Sequence, residues 1–576
     1  MTRRPFLVLL VALLPLTACA SIPESSDPVA VEPIEEGTGR AAVNRPPDGA
    51  DALGIVRSFV DSGATRDTDF EAGRLHLTDE ARREWRPSNS LLVVDNVDTI
   101  PVPPAPNQPD SVQLVSLQAD RVGRLRPDSS FVPDTGPYQV QLRVERNADG
   151  QWRISSPPPE MVISRGSFTH DFMPVPIYFS DPDRTRVVPD LRYVVSKPES
   201  TLPRRVIELL TAGPSATFRD AMSSELPPGV DPKTNVSEAD DAALVVNFSD
   251  LGDLPLESRR IIAAQVVLSL QSVSKARVRL QEEGVPLLPD KQELWPSDVM
   301  NFEHANNVRA DLPGLAVADE RLYTLDQRAR TIPGPAGDGG EYKVVQAAQS
   351  ADGSELAAVT RTSTGVELRI GPYGEAMPAT QLRGSFMSRP TWRGSDEVWT
   401  VVNGHDVHRA VHNGDTWTTS PVDVSEFAGN RLIKELRLSH DGTRAVGVVD
   451  GRIVVAGVVQ QNGRFALRHP VTLGSPRAAN ITGVDWLSDK SLVATTDSNS
   501  SPVMEVSVDG FEWTEYASAN LNQPVNAVTV GPGRRVVVSD QSGLWEAGDS
   551  DAVWSLLDGW RSLPGQSGGS IPFFPG

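Results

Sequence analysis

Cysteine is nearly missing from this sequence: Cys19 is the only one in 576 residues. A single cysteine excludes internal disulfides, and it excludes a cysteine nucleophile from any part of the chain beyond residue 19. Long apolar runs are also missing. The only pronounced one, Phe6 to Leu16 (FLVLLVALLPL), falls well short of the roughly 20 residues a spanning helix needs. Positive charge is in deficit, with 54 Lys and Arg against 75 Asp and Glu, a net charge of −21. Such a surface is repelled by phosphate backbones and anionic headgroups, so nucleic acid is not an expected partner. No phosphate-binding loop ending in Gly-Lys-Ser/Thr and no His-Glu-x-x-His occurs, which leaves nucleotide and zinc-protease chemistry without a motif.

What is present begins with Arg3-Arg4 followed by the short apolar run, the charged and hydrophobic regions of a signal peptide expected over residues 1–18. Leu16-Thr17-Ala18-Cys19 then resembles the lipobox of bacterial lipoproteins. The resemblance implies cleavage before Cys19, which becomes an N-palmitoyl, S-diacylglycerol cysteine and holds the chain to the outer face of the cell membrane. One acyl chain anchors marginally and two or more hold firmly, at about 0.8 kcal/mol per buried methylene. Thr2 to Leu7 also resembles a twin-arginine signal, a pattern too common to choose the export route. Residues 19–50, rich in Pro, Glu, Asp and Ser, read as an acidic disordered tether.

A small α+β domain is expected over 51–165. Leu53, Val56, Phe59 and Val60 fall at helical spacing, and Thr78 caps a second helix reaching Trp85. Ser111 to Leu125 and Tyr138 to Glu145 alternate as strands, Asn147 to Gly150 is a turn, and a further strand to Ile163 is interrupted by Pro157-Pro158-Pro159. Over 170–295 the order is strand, helix, strand, helix, strand, an α/β unit in which the helix from Glu257 to about Val273 presents Ile261, Ile262, Val266, Leu270 and Val273.

Over 300–562 the sequence repeats. Ser350 to Val359 (SADGSELAAV) aligns with Ser439 to Val448 (SHDGTRAVGV), with equivalent turns at Asp319, Asp396, Asp489 and Gly533. Their spacing of 33 to 48 residues matches a four-stranded propeller blade at roughly 40–50, so a β-propeller of about six blades is expected; a β-sandwich array is the alternative. In one blade VWTVV, the Asn403-Gly404 turn, HDVHRAVH, the Asn413-Gly414-Asp415 turn and TWTTS read as two consecutive hairpins. Trp392 and Trp486 take similar blade positions and are expected between blades. Residues 563–576 read as a flexible tail.

Candidate chemistry is thin. His405, His408 and His412 form the only histidine cluster, but His408 and His412 are about 13 Å apart along a strand at ~3.3 Å per residue, with His405 opposite, which does not suit one zinc ion. Ser272-Val273-Ser274-Lys275 matches the Ser-x-x-Lys of penicillin-recognising enzymes, while Ser297-Asp298-Val299 and Lys233-Thr234-Asn235 only half match the companion motifs, in the wrong order. Gly565-Gln566-Ser567-Gly568-Gly569 has the letters of a nucleophile elbow without its flanking strand and helix. The carboxylates of Asp181 and Asp183, of Glu238 to Asp241, and of Asp338 and Glu341 lack the spacing of a calcium loop. No catalytic residue, metal or cofactor is assigned.

Val175 to Pro286, with RRVIELLTAGP and LVVNFSDL, resembles a GerMN module. The order of lipobox, acidic tether, α+β domain, GerMN-like unit and repeats is similar to the actinobacterial lipoprotein family LpqB. That resemblance implies a non-enzymatic accessory of the MtrA/MtrB two-component system, touching the extracytoplasmic domain of the sensor kinase and influencing envelope maintenance and division. The residues themselves leave two other readings: a module binding cell-wall glycan or peptide, and an envelope hydrolase.

Overall fold

A computed structural model describes residues 45–62, 70–230, 232, 236–303, 311–414, 416–474, 479–561 and 569–576, the side chain of Ser237 excepted. Asp51 opens the first helix, Ala52–Val60, by accepting the amide of Gly54 at 2.7 Å; its apolar stripe buries Ile55, Val56, Phe59 and Val60. Thr78 caps Asp79–Glu84 in the same way through Ala81. These helices cover a five-stranded sheet ordered Trp152–Ser156, Phe131–Arg146, Val112–Leu125, Leu91–Pro101 and Met161–Ser164. All neighbours are antiparallel except the last pair, in which Leu91 aligns with Met161. The interior strand Leu91–Pro101 was not foreseen: Leu91 to Val94 are all buried, so no alternation marks them. Arg45 to Ala50, expected to be the end of the tether, includes Gly49, whose amide donates to Gln151 Oε1, and Ala50, which packs on the domain core.

The helix Arg165–Asp171 runs straight into the second unit. Phe172–Ser180 pairs antiparallel with Val187–Val195, and Leu244–Phe248 pairs parallel with Val278–Glu282 inside a four-stranded sheet edged by two-residue strands. The helix Leu202–Ala212 stops at Gly213, whose φ of 87° only glycine adopts cheaply. The helix Leu256–Leu270 departs from the expected one-sided stripe, since every residue from Ile261 to Leu270 is buried. Gln265 and Ser269 tolerate this because they hold the backbone of Tyr178: Gln265 Nε2 donates to its carbonyl at 3.1 Å, and Ser269 Oγ accepts its amide at 2.9 Å.

The last region is a closed six-bladed propeller. Five blades are four-stranded sheets, beginning at Val344, Thr391, Ile433, Ile481 and Ala527, with strands in sequence order from the axis outward. The remaining blade, which we number one, is built from Leu315–Ala318 and Arg321–Thr324 together with Ile571–Phe573, the last strand of the chain. Ile571–Phe573 stands between the innermost strands of blades six and two and completes the ring around the axis. The expected flexible tail is corrected accordingly. Ile571 to Phe573 pair with Val317 to Leu315, and Phe573 and Phe574 are buried.

This closure also corrects the reading of the Asp319 turn. The turns at Asp352, Asp396, Asp441, Asp489 and Gly533 join the first and second strands of their blades. Asp319 joins the second and third, because the first strand of its blade comes from the C-terminus, and the first spacing is short for that reason. Asn403 and Gly404, at φ 54° and 78°, form the expected left-handed hairpin turn. Trp486 sits between blades, its Nε1 donating to the Arg437 carbonyl of the preceding blade at 3.3 Å.

All described residues belong to one compact unit. One apolar core runs from the second unit, through Val206, Ile262 and Val266, into blades four and five at Val446, Ile453 and Trp486. A Cβ on Gly457 of blade four would lie 3.0 Å from the Ala221 methyl of the second unit. Phe511, from a turn of blade five, meets Phe131 of the first domain, Phe168 of the connecting helix and Tyr193 of the second unit at ring-centre distances of 4.9, 5.1 and 5.6 Å.

Candidate functional site

Two charged clusters stand out because burial makes charge expensive unless it is paired. The first fills the propeller axis. Arg389 lies at the inner edge of blade three, Glu435 and Arg437 on the innermost strand of blade four, and Asp485 on that of blade five. Arg389 Nη2 donates to Asp485 Oδ2 at 2.8 Å, and its Nη1 donates to the carbonyls of Val528 at 3.3 Å and Pro572 at 3.2 Å. One guanidinium thus ties blades three, five, six and the closing strand together. Arg437 Nε faces Asp485 Oδ1 at 3.5 Å while its Nη1 donates to the Pro390 carbonyl at 2.7 Å. Glu435 accepts the Val484 amide at 3.2 Å and stands 3.9 Å from Arg389 Nε.

Two cations and two anions make the cluster neutral, and Arg389 and Arg437 are each only 4% exposed. Burial alone would raise Asp485, but Arg389 and Arg437 outweigh it and hold the carboxylate below its ordinary range. Burial pushes Glu435 up, with the two arginines offsetting only part of that. Burial and the neighbouring Arg389 bring Arg437 down to about 10. The axis at this level is protein, and the arrangement fastens blades; it presents no nucleophile with an adjacent base.

The second cluster lies where the second unit meets the propeller. Arg444, 1% exposed, binds Asp441 at 2.7 Å and donates to the carbonyls of Asp489 at 2.8 Å and Pro189 at 3.2 Å, the last belonging to the second unit. Tyr178 Oη donates to Glu303 at 2.9 Å beside it. Two further contacts cross the same boundary, a hydrogen bond between His469 Nε2 and Asp220 Oδ2 at 2.6 Å and an ion pair between Arg393 and Asp183 at 3.6 Å.

The residues singled out from sequence fall elsewhere. Leu16, Thr17, Ala18 and Cys19 lie outside the described residues, as do Lys233 to Asn235 and Gly565 to Gly568. Ser272 Oγ donates to the Ser269 carbonyl at a helix end, and Asp298 pairs with Lys291, so the Ser-x-x-Lys residues assemble no site. His412 stacks on Trp417 at 4.8 Å, and His408 sits opposite Thr400 and Pro421 in the sheet. Among the described residues no three His, Cys, Asp or Glu side chains converge as a metal-binding group. Asp181 accepts the amides of Thr185 and Arg186 and Asp338 accepts the Gly334 amide, each closing its own loop, while Asp241 pairs with Arg277 and Arg279 across the sheet. Sequence reasoning missed both clusters. The signal of the axial cluster was charge inside apolar strands, KELRL at 434–438 and GVDWL at 483–487.

Fold and site together define a scaffold in which an α+β domain and an α/β unit are fused to a six-bladed propeller with a filled axis. Family profiles divide the chain the same way: "Lipoprotein LpqB, N-terminal domain" over 45–169, "Sporulation and spore germination" over 176–288, and "Lipoprotein LpqB beta-propeller domain" over 320–575. The chain belongs to the LpqB lipoprotein family. It is 29% identical to Lipoprotein LpqB of Rhodococcus jostii (strain RHA1) over 595 residues, covering 99% of this chain and 97% of the relative. It is 28% identical to Lipoprotein LpqB of Mycobacterium tuberculosis (strain CDC 1551 / Oshkosh) over 596 residues, with 97% of each covered.

Proposed function

We propose that this protein is held at the extracytoplasmic face of the cell membrane by lipid on Cys19, and that its fused body is a non-enzymatic binding accessory. In this reading Leu16, Thr17 and Ala18 direct processing and the 1–18 segment is removed. The partner is the extracytoplasmic domain of a sensor histidine kinase, that of the MtrA/MtrB system, in envelope homeostasis and division. One observation carries the non-enzymatic reading: the propeller axis, a usual place for a ligand, is occupied by the Arg389–Asp485–Arg437–Glu435 cluster, whose hydrogen bonds are spent on blade carbonyls and on one another. Family membership over nearly the full chain supports the lipoprotein part.

The test is crosslinking in intact cells followed by pull-down of the full chain. Recovery of the sensor kinase is the expected result. Recovery of cell-wall glycan or peptide without the kinase would replace this reading with that of a wall-binding module.

A further inference from the structure

Four blades repeat one hydrogen bond at the entry to the innermost strand. An amide at the end of the second strand donates to the carbonyl of the entry residue: Arg361 to Lys343 at 2.8 Å in blade two, Asn403 to Phe386 at 2.9 Å in blade three, Asp450 to Leu432 at 3.0 Å in blade four and Asp497 to Asn480 at 3.0 Å in blade five. The four entry residues therefore share one ring position on one face of the propeller. All four are exposed, and two are large and apolar, Phe386 at 43% and Leu432 at 51%. These two are neighbours. Asn403 holds the Phe386 carbonyl, and a Cβ on the next residue, Gly404, would lie 2.4 Å from Leu432 Cδ1, so the leucine side chain lies over a turn where only glycine leaves it room.

In an antiparallel blade the first-to-second-strand turn lies at the end opposite both the entry and the second-to-third-strand turn. The second unit contacts that opposite end, through Asp183 on Arg393 and the Pro189 carbonyl on Arg444, so the entry face of blades two to four is turned away from it. The entry face is also cationic where the chain as a whole is acidic. Lys343 holds the ring position of blade two and Lys434 follows Leu432 by two residues; both are exposed and neither forms an ion pair with a described residue, on a chain of net charge −21. Asp450 accepts the Leu432 amide at 3.1 Å, and Arg431 donates to the carbonyls of Ala428 and Phe427.

We infer that Phe386 and Leu432, flanked by Lys343 and Lys434, form the surface through which the body binds a partner protein, at a segment whose apolar side chains are flanked by carboxylates. An exposed aromatic contributes binding energy when a partner removes it from water, and unpaired charges at the rim choose the partner and speed its approach. Two lysines are too few for an anionic bilayer, which clusters of about four to eight basic residues recognise, and the net charge opposes it. The inference rests on the reading of the body as a binding accessory, and not on which protein is bound.

Photocrosslinking with the full chain in intact cells reads this contact. Phe386→p-benzoylphenylalanine and Leu432→p-benzoylphenylalanine are each expected to give an adduct with the same extracytoplasmic protein, joined at a peptide of apolar residues flanked by Asp or Glu. The same change at Val553, an exposed apolar residue of blade six, should give none. Adding Lys343→Glu and Lys434→Glu should lower the adduct at 432 roughly tenfold, because like charges then meet across the contact. An adduct with the sensor kinase upholds both this surface and the kinase reading; the same pattern with a different protein upholds the surface and removes the kinase. Absence of an adduct at 386 and 432, an adduct with lipid, wall glycan or a peptide without carboxylates, equal capture at 553, or a yield unmoved by the lysine reversals would overturn the inference.

Discussion

Single residues carry the largest opposed energies in this molecule, and Asp485 is the clearest case. It contacts both buried arginines and shares their neutralisation with Glu435, so removing its charge leaves two buried cations on one carboxylate. Breaking one partner of a buried pair costs about 3–5 kcal/mol, whereas replacing both by apolar groups is often near neutral. Asp485→Asn is therefore expected to lower denaturant stability by about 3 kcal/mol, and the double change Arg389→Met with Asp485→Leu by clearly less. Asp485 is held below its ordinary range, so its stabilisation is present above about pH 4 and fades as pH falls through the folded value. The difference between wild type and Asp485→Asn in urea midpoint should shrink on acidification. None of this cluster was legible in sequence. A charged residue inside an apolar strand reads as a solvent-facing position, and only the ring of six innermost strands turns those positions toward one another.

Among the elements, the blade turns were legible because the Ser-x-Asp-Gly chemistry is local. Asp352 accepts from Ser350 and Ser354, and Asp441 from Ser439 and Thr443, all within five residues. Helices with a cap and a one-sided stripe, such as Ala52–Val60, were legible for the same reason. What escaped notice depended on distant partners. The helix Leu256–Leu270 is covered on all sides, so its periodicity is blurred, and the closing strand Ile571–Phe573 pairs with a strand some 250 residues away. That strand yields a prediction. Removing residues 571–576 exposes the edge of Leu315–Ala318, withdraws the Pro572 carbonyl from Arg389, and empties the sites of Phe573 and Phe574. At about 3–5 kcal/mol for a buried Phe, the truncated chain should lose roughly 5 kcal/mol or more, seen as a lower guanidinium midpoint with early proteolysis at blade one. An unchanged midpoint would show that the ring closes without it.

Seen whole, the three folded parts share cores, an aromatic cluster and a buried arginine-to-carbonyl hydrogen bond, so the described body presents its surfaces in one fixed arrangement. Its order of domains was legible in sequence; their fusion was not, because Phe511, Gly457 and Arg444 belong to one domain in sequence and serve another in space. No described helix is long and apolar enough to cross a membrane. The proposed function rests on a division of labour in which Cys19 supplies residence and the body supplies binding. Fractionation of cells expressing Cys19→Ala tests this most directly. The account predicts a chain with the wild-type melting temperature, recovered away from the membrane fraction. A Cys19→Ala chain that stays with the membrane, or one that no longer folds, would contradict it.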